Sequence, residues 1–322
     1  MSEPKLPRRT VTTNGVDLDV VDAGTGPPVV LAHGFPELSY SWRYQIPALA
    51  AAGCRVLAPD QRGYGRSSCP DAVEAYDIMH LTADLLGLLD DIGEERAVFV
   101  GHDWGSMVVW QLALLAPERV AGVVGMSVPF IPRGDVPPIQ AMRMVLGDTF
   151  FYILYFQEPG VADADLGRDP AETMRRMLSG VRMPADGSFD ASAVTSVDGR
   201  GFVDRLPEAG PLPEWLTQEA LDHYVTEFSR TGFTGGINWY RNFDRNWTLT
   251  SHLAGAKVQA PSLFIGGALD PVLLMTPPAV MDGWVTDHRG NVLVDDAGHW
   301  VQQEKPEEVN AALIDFLGQL SL

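Results

Sequence analysis

One aspartate lies where a strand is expected to turn sharply into a helix. Residues 97–100 form an apolar run typical of a buried strand, and residues 101–106 read Gly-His-Asp-Trp-Gly-Ser before a helical pattern that continues to about residue 116. At such a turn Asp103 can cap the helix by accepting hydrogen bonds from free backbone N–H groups. It can also act as a nucleophile, and attack on an sp³ carbon would leave an alkyl ester of the enzyme.

The residues around Asp103 favour the second role. The segment resembles the nucleophile elbow of the α/β-hydrolase fold, in which small residues permit a strained turn and close helix packing. Gly101, Gly105 and Ser106 supply those small residues. We therefore expect Asp103 to be the nucleophile and Ser106 to pack within the helix. Because the ester must then be hydrolysed, the site also needs a base and an oxyanion hole.

The base and its acid should come later in the chain, since this fold orders its triad as nucleophile, acid, histidine. His299 follows the final strand-like segment and is the expected base, and Asp270 follows the strand-like residues 262–265 and is expected to orient it. Structural, packing or surface roles are expected for the remaining histidines, His33, His102, His80, His223, His252 and His288. Four aspartates compete with Asp270 by type but lie in less suitable places, Asp282, Asp287, Asp295 and Asp296.

The oxyanion hole is expected near residues 33–36, which read His-Gly-Phe-Pro and resemble the oxyanion loop of the same fold. This resemblance implies that the backbone N–H groups of Phe35 and Trp104 hold the developing negative charge. The peptide bond between Phe35 and Pro36 is expected to be cis, because tight X-Pro turns are where cis bonds occur.

Two aromatic segments indicate which kind of enzyme with an aspartate nucleophile this chain resembles. Residues 150–160 read Phe-Phe-Tyr-Ile-Leu-Tyr-Phe-Gln-Glu-Pro-Gly, and residues 238–242 read Asn-Trp-Tyr-Arg-Asn. Both resemble lid segments of soluble-type bacterial epoxide hydrolases, in which one tyrosine from each segment binds the epoxide oxygen. The resemblance, which covers nearly the whole chain, assigns this role to Tyr152 and Tyr240. Tyr155 is left to packing or substrate lining.

Paired phenols also suit epoxide opening on physical grounds. Ring opening releases an alkoxide, which is a poor leaving group unless it is protonated or strongly hydrogen-bonded as the bond breaks. A phenol with a pKa of about 10 stays protonated at neutral pH and so remains a donor. A halide leaving group needs no proton, so paired tyrosines favour an epoxide as substrate.

These residues must be positioned by an α/β core. Helical patterns at residues 45–52, 80–92 and 306–320 alternate with strand-like runs. The strand-like runs are residues 16–21, 28–32, 55–58, 97–100, 120–126, 262–265 and 291–294. This alternation predicts the α/β-hydrolase fold, with a mostly parallel central sheet flanked by helices. Ligands bind such sheets beyond the carboxyl ends of the strands.

An insertion interrupts that pattern. Residues 132–248 are rich in aromatics, Met, Pro and Gly and show no confident strand, so we predict a mainly helical cap domain there. The core domain is then expected to comprise residues 1–131 and 249–322. Within the cap, residues 180–213 are rich in Gly, Pro and Asp and predict a lid loop that could reshape one end of the pocket.

Composition limits the kinds of partner that this chain is expected to bind. The net charge of −19 over 322 residues argues against nucleic-acid binding, which requires a basic surface. The sequence has neither a signal-peptide pattern nor an apolar stretch long enough to span a bilayer, so stable membrane insertion is not expected. Two cysteines in so long a chain fit a reducing cytoplasm. A homodimer is compatible with the sequence, although no feature requires one.

The resulting hypothesis is an epoxide hydrolase that forms vicinal diols from a small apolar epoxide and water, without a metal or cofactor. The apolar pocket is expected to be lined by Pro36, Phe156, Trp239 and Trp300. Two alternatives stay open, a haloalkane-type dehalogenase with the same nucleophile and a non-catalytic ligand receptor on a hydrolase fold. The physiological epoxide also stays open among lipids, terpenes and xenobiotics.

Overall fold

The core of the molecule is an eight-stranded sheet, seen in a computed structural model that describes residues 6–184, 195–208 and 210–321. The strands are β1 Arg8–Thr13, β2 Val16–Gly24, β3 Pro28–Ala32, β4 Arg55–Pro59, β5 Ala97–His102, β6 Val120–Met126, β7 Ser262–Gly267 and β8 His288–Val294. Their order in the sheet is β1-β2-β4-β3-β5-β6-β7-β8, and all neighbours are parallel except β1–β2 and β2–β4. The predicted mostly parallel sheet of the α/β-hydrolase fold is confirmed.

Strand β1 was not among the predicted strands. Its sequence lacks an apolar run, and Val11 is its only buried residue. Pairing with β2 is set by a tight turn at Asn14 and Gly15, whose φ angles are 48° and 75°. Asn-Gly favours such positive φ angles in two-residue hairpins, so the turn itself is the sequence signal for this strand.

Helices cover both faces of the sheet. In chain order, the α-helices of the described residues, including those of the cap, are α1 Gln45–Ala51, α2 Ile78–Ile92, α3 Trp104–Leu115, α4 Pro138–Leu146, α5 Tyr152–Tyr155, α6 Val161–Gly167, α7 Pro170–Gly180, α8 Gln218–Thr231, α9 Thr234–Arg241, α10 Phe243–Leu249, α11 Val272–Met275, α12 Val301–Glu304 and α13 Pro306–Gly318. Helices α2 and α3 pack on one face, and α1 and α13 pack on the other. Because both faces are covered, β3 and β5 are entirely buried, which explains their continuous apolar sequences.

Local signals fix the bounds of helix α2. The carboxylate of Asp77 accepts a hydrogen bond from the backbone N–H of His80 at 3.1 Å and caps the first turn. Leu81, Leu85 and Leu88 recur at helical spacing and are buried. The helix ends at Gly93, whose φ of 74° is left-handed and thus easiest for glycine.

Helices α4 to α10 form the cap between β6 and β7. The described residues of this insertion contain no strand, so the predicted helical cap is confirmed, while the domain boundaries at residues 132 and 248 stay a prediction. The predicted lid loop at residues 180–213 is described only in part, because residues 185–194 and 209 lie outside the described residues. Over the described part of the chain, no helix is both long and apolar enough to cross a membrane.

The cap meets the core through a close backbone contact at the start of α9. A Cβ atom added to Gly235 would overlap the carbonyl oxygen of Gly63, and one added to Gly236 would lie 2.6 Å from the Phe35 ring. Along the same helix, the Trp239 indole N–H donates to the carbonyl of Arg62 at 3.4 Å. Only glycine allows this approach, so helix α9 rests directly on the loop after β4.

We expect Gly235→Ala to lower the free energy of unfolding by about 1–3 kcal/mol, because the added methyl must displace backbone and not a flexible side chain. Urea denaturation of the two proteins measures this difference. Gly167→Ala in α6 is the matched control, since a Cβ atom there meets nothing within 4 Å. Equal stability of the Gly235 and Gly167 variants would contradict a close joint between α9 and the core.

Candidate active site

Asp103 lies at the junction of β5 and α3 in a conformation unusual for a non-glycine residue, with φ of 52° and ψ of −117°. Such backbone strain is typical of functional turns. A Cβ atom on Gly101 would overlap the backbone of Gly105, and one on Gly105 would overlap the carbonyl of Ala32. The hydroxyl of Ser106 donates to the carbonyl of Val128 at 2.5 Å. Small residues are therefore required around the turn.

The carboxylate of Asp103 has two different neighbours. Its Oδ1 accepts a hydrogen bond from the backbone N–H of Phe35 at 2.8 Å, and its Oδ2 lies 3.6 Å from Nε2 of His299. Burial alone would raise the pKa of Asp103, but the hydrogen bond and charge of His299 lower it overall. Asp103 is thus ionised in the resting site, with one oxygen held and the other beside the imidazole.

Asp270 holds the far side of the same imidazole. Its Oδ2 lies 2.9 Å from Nδ1 of His299, and its Oδ1 accepts from the backbone N–H of Val272 at 2.9 Å. Burial alone would lower the pKa of His299, but the carboxylates of Asp270 and Asp103 raise it well above its ordinary value. The resting imidazole is therefore protonated between two carboxylates.

The loop that carries Phe35 has the expected geometry. The Phe35–Pro36 peptide bond is cis, as predicted. Trp104 is the first residue of α3, where backbone N–H groups have no carbonyl partner within the helix. The N–H of Phe35 already binds an oxygen of Asp103, so this loop is placed to stabilise negative charge on that carboxyl group.

The two predicted tyrosines meet beside this carboxyl group although they come from separate cap helices. Tyr152 begins α5, Tyr240 lies near the end of α9, and their ring centroids are 5.9 Å apart. The Tyr240 ring also packs on Trp104 at 5.0 Å and on Phe35 at 5.4 Å. Burial and the charge of Asp103 raise the pKa of both phenols, so both stay protonated donors.

Tyr155 has different surroundings. Its hydroxyl donates to Oδ2 of Asp165 at 3.3 Å, within the cap. Partial burial and the charge of Asp165 raise the pKa of Tyr155 to about 12. These contacts lie within the cap, and the choice between packing and substrate lining for Tyr155 stays a prediction.

Three of the four expected lining residues, Phe156, Trp239 and Trp300, fall into two groups. The Phe156 ring packs between the two tyrosines, with centroid distances of 5.7 Å to Tyr152 and 5.1 Å to Tyr240. Trp239 is fully buried at the joint of α9 with the core, and Trp300 packs against the His299 ring at 4.7 Å. Phe156 therefore borders the reacting groups directly, and the two tryptophans pack against the elements that carry them.

Phe202 was not among the predicted residues and also packs near the tyrosines. Its ring centroid lies 5.8 Å from that of Tyr152 and 5.3 Å from that of Phe156. The carboxylate of Asp165 holds the segment by accepting from the backbone N–H of Phe202 at 2.6 Å. The predicted lid loop thus brings an aromatic side chain to the Tyr152 side of the site.

Glu37 is a further residue that sequence reasoning missed. It is fully buried, and its Oε2 lies 2.7 Å from Nδ1 of His102 and accepts from the backbone N–H of Gly34 at 2.9 Å. Its Oε1 accepts from the side-chain amides of Gln302 at 2.9 Å and Gln303 at 3.2 Å. Burial would raise the pKa of Glu37, but the charge of His102 lowers it overall, so this is a buried carboxylate.

His102 extends this network to the base. Its Nε2 lies 2.8 Å from the carbonyl oxygen of His299, which also accepts from the hydroxyl of Ser127 at 2.9 Å. Both ring nitrogens of His102 therefore face hydrogen-bond acceptors. The network links the oxyanion loop to the backbone of His299, and its only sequence signal is that Glu37 directly follows the His-Gly-Phe-Pro motif.

The cap touches the loops of the base and the acid directly. The backbone N–H of His299 donates to the carbonyl of Val181 at 3.2 Å, and that of Met183 donates to the carbonyl of Leu269 at 2.8 Å. The guanidinium of Arg182 reaches the carbonyl of Asp296 at 2.9 Å.

In the described ranges, no group of three or more His, Cys, Asp or Glu side chains could hold a metal ion.

Known proteins share this architecture and sequence. A family model described as "alpha/beta hydrolase fold" matches residues 27–306. Epoxide hydrolase A of Mycobacterium tuberculosis is 61% identical over 316 residues, which cover 98% of each chain. The crystal structure of epoxide hydrolase A from Mycobacterium thermoresistibile superposes with a TM-score of 0.94 at 61% identity, over 99% of this chain and 100% of that one. An epoxide hydrolase from an endophytic Streptomyces gives a TM-score of 0.92 at 42% identity, over 97% and 95% of the two chains.

We expect Glu37→Gln to lower the free energy of unfolding by about 1–3 kcal/mol, the cost typical of leaving a buried polar group without its partner. The new amide would place N–H groups against the donors that now bind the carboxylate. Urea denaturation measures the loss. Asp90→Asn removes an exposed ion pair with Arg119 and should cost at most about 1 kcal/mol. A Glu37 variant no less stable than this control would contradict a buried carboxylate that these donors stabilise.

Proposed function

The chain belongs to the epoxide hydrolases of the α/β-hydrolase fold, and on that premise we propose that it converts apolar epoxides to vicinal diols through an ester on Asp103. The observation that carries this proposal is the meeting of two protonated phenols beside an ionised carboxylate on a strained turn. The carboxylate supplies a nucleophile, and the phenols supply donors for the oxygen that the ring releases. No metal or cofactor is required by this chemistry.

In the first step, Oδ2 of Asp103 attacks one carbon of the epoxide and the bond between that carbon and the ring oxygen breaks. Tyr152 and Tyr240 hold the oxygen, and one phenol transfers its proton to the alkoxide as it forms. The raised pKa of each phenol keeps the proton in place until the alkoxide is basic enough to take it. The hydrogen bond from Phe35 to Oδ1 leaves Oδ2 as the attacking oxygen.

The second step hydrolyses the ester. Once esterified, Asp103 has no charge, so the pKa of His299 falls and the imidazolium gives its proton to the phenolate that ring opening left behind. The neutral imidazole can then accept a proton from water. The hydroxide adds to the carboxyl carbon, and the backbone N–H groups of Phe35 and Trp104 stabilise the oxyanion. The bond from that carbon to Oδ2 then breaks, and the diol oxygen takes the proton from His299. The proton that remains on the carboxyl group passes to His299, which restores the resting carboxylate and imidazolium.

The surroundings favour a small apolar epoxide. Phe35, Phe156 and Phe202 pack around the two phenols, and such aromatic walls bind apolar ligands. We propose Pro36, Trp239 and Trp300 as further lining. We also propose a cytoplasmic location, because both cysteines are free thiols, and we leave the homodimer as a prediction.

In a single turnover in water labelled with heavy oxygen, we expect a diol with no label and one labelled oxygen in the Asp103 carboxylate. The reason is that the diol takes its new oxygen from Asp103, and water replaces it there. Mass spectrometry of the diol and of the peptide that contains Asp103 measures both positions.

The same assay separates this proposal from its rivals when chloroalkanes and an ester are tested beside aryl and alkyl epoxides. Label in the diol would exclude the ester route. Halide release without diol formation would identify a dehalogenase. Binding of epoxides without any turnover would support a receptor.

We expect Asp103→Asn, which imitates the uncharged ester, to lower the pKa of His299, because the variant removes one of the two carboxylates that raise it. In the native protein, hydrolysis of the Asp103 ester should accelerate as the pH rises through the lowered pKa of His299, because only the neutral imidazole accepts a proton. NMR titration of the His299 ring measures the shift directly. Asp287→Asn, which changes an exposed pair with Arg289, is the control and should leave it unchanged. An unshifted pKa in the Asp103 variant would contradict release of the base by esterification.

A further inference from the structure

The separation of the two phenols depends on how two cap helices are held together. Tyr152 belongs to α5 and Tyr240 to α9, and an epoxide oxygen must reach both hydroxyls at once. Ring contacts are compatible with several separations, because aromatic rings pack over a range of distances. The geometry required for the proposed proton transfer therefore needs polar contacts between the two helices.

Arg241, the residue after Tyr240, supplies contacts toward the segment that follows Tyr152. Its Nε donates to the carbonyl of Phe156 at 3.0 Å, and its Nη2 donates to the carbonyl of Glu158 at 3.2 Å. Nη2 also lies 2.5 Å from Oδ2 of Asp163 at the start of α6. One guanidinium thus joins the end of α9 to three successive points of the other segment.

The guanidinium is oriented and nearly excluded from solvent. Its Nη1 donates to Oδ1 of Asn238 at 2.8 Å, one turn earlier in α9. The side chain of Arg241 is 6% exposed and that of Asp163 is 17% exposed. Exposed ion pairs contribute little to stability, whereas removing one partner of a buried pair is strongly destabilising. The largely buried pair of Arg241 and Asp163 can therefore fix the position of α9 relative to α6.

Gln157 completes the connection from the opposite direction. Its side-chain amide donates to the carbonyl of Tyr240 at 3.1 Å and to the carbonyl of Ile153 at 2.9 Å. The backbone of one catalytic tyrosine is therefore bound directly by a residue of the segment that carries the other. Arg241 of α9 therefore donates to the segment that follows Tyr152, and Gln157 of that segment donates to α9.

We propose that Arg241 and Gln157 are positioning residues that set the spacing of Tyr152 and Tyr240 for epoxide opening. This inference rests on the proposed function and adds two residues that do not touch the reacting atoms. A displacement of about 1 Å at a reacting group can reduce a rate about 100-fold, so loss of the guanidinium should slow the step in which the phenols act.

The two half-reactions distinguish positioning from a general effect on folding. Ester formation uses the phenols, whereas ester hydrolysis uses His299, Asp270 and the oxyanion hole of the core. None of the contacts of Arg241 or Gln157 described above involves those three groups. A positioning role therefore slows ester formation alone, while a loosened protein would slow both steps.

The test compares Arg241→Met with the native residue. Adduct formation is followed by intact mass in a His299→Gln background, where the ester should accumulate, with styrene oxide as the probe. Hydrolysis is followed from decay of the adduct in a single turnover with His299 intact. We expect at least a tenfold slower formation and hydrolysis within twofold of the native rate.

Arg168→Met is the matched control, because Arg168 forms an exposed cap ion pair with Asp204 at 2.7 Å. Both of its rates should stay within twofold. Arg241→Lys should recover only part of the loss, since one ammonium group cannot replace a planar fork with several donors. Unchanged ester formation in folded Arg241→Met, or equal slowing of both steps, would overturn the inference.

Gln157→Leu decides the matter if Arg241→Met does not fold, because it removes a neutral contact and keeps the ion pair. At least threefold slower ester formation with unchanged hydrolysis supports the inference, and unchanged formation overturns it. Absence of any adduct in the His299→Gln parent would instead overturn the proposed ester route, and this inference with it. These outcomes distinguish failure of the proposed function from failure of the positioning role.

Discussion

The contact of one imidazole with two carboxylates is the interaction on which the rest of the site depends. Asp103 and Asp270 lie on opposite sides of His299, and all three are shielded from bulk water. Buried charges are costly unless each is paired and hydrogen-bonded, so the surrounding chain must supply partners. It does so through the N–H of Phe35 and the pair of Glu37 with His102, whose ring reaches the backbone of His299.

In the proposed mechanism, the same electrostatic arrangement gives an order to the reaction. While Asp103 is ionised it keeps the imidazole protonated, and the imidazole in turn keeps the Asp103 carboxyl group ionised. On this proposal, esterification removes one partner and so makes the imidazole available as a base. The proposed ring opening uses the phenols of the cap, and the proposed ester hydrolysis uses the core. The backbone contacts of residues 181–183 with the loops of His299 and Asp270 bring the two parts together.

Much of this arrangement could be predicted because its residues follow elements with strong local signals. Asp103, Asp270 and His299 follow the parallel strands β5, β7 and β8, and the carboxyl ends of parallel strands meet at one edge. Strand β1 was overlooked because only Val11 is buried, although its Asn-Gly turn was visible. The pairing of Glu37 with His102 spans 65 residues and depends on how loops pack, which no local pattern encodes. The contact of Arg241 with Asp163 depends in the same way on the packing of two helices.

The cap is a single uninterrupted stretch of chain, and this has a consequence for how such enzymes can diversify. Tyr152 and Tyr240 lie within that stretch, whereas Asp103 precedes it and Asp270 and His299 follow it. Recombination or drift confined to one genetic segment could therefore alter which leaving group is accommodated while the inherited apparatus for ester cleavage is retained. New specificities can arise on this scaffold without the ancestral hydrolytic step having to evolve again.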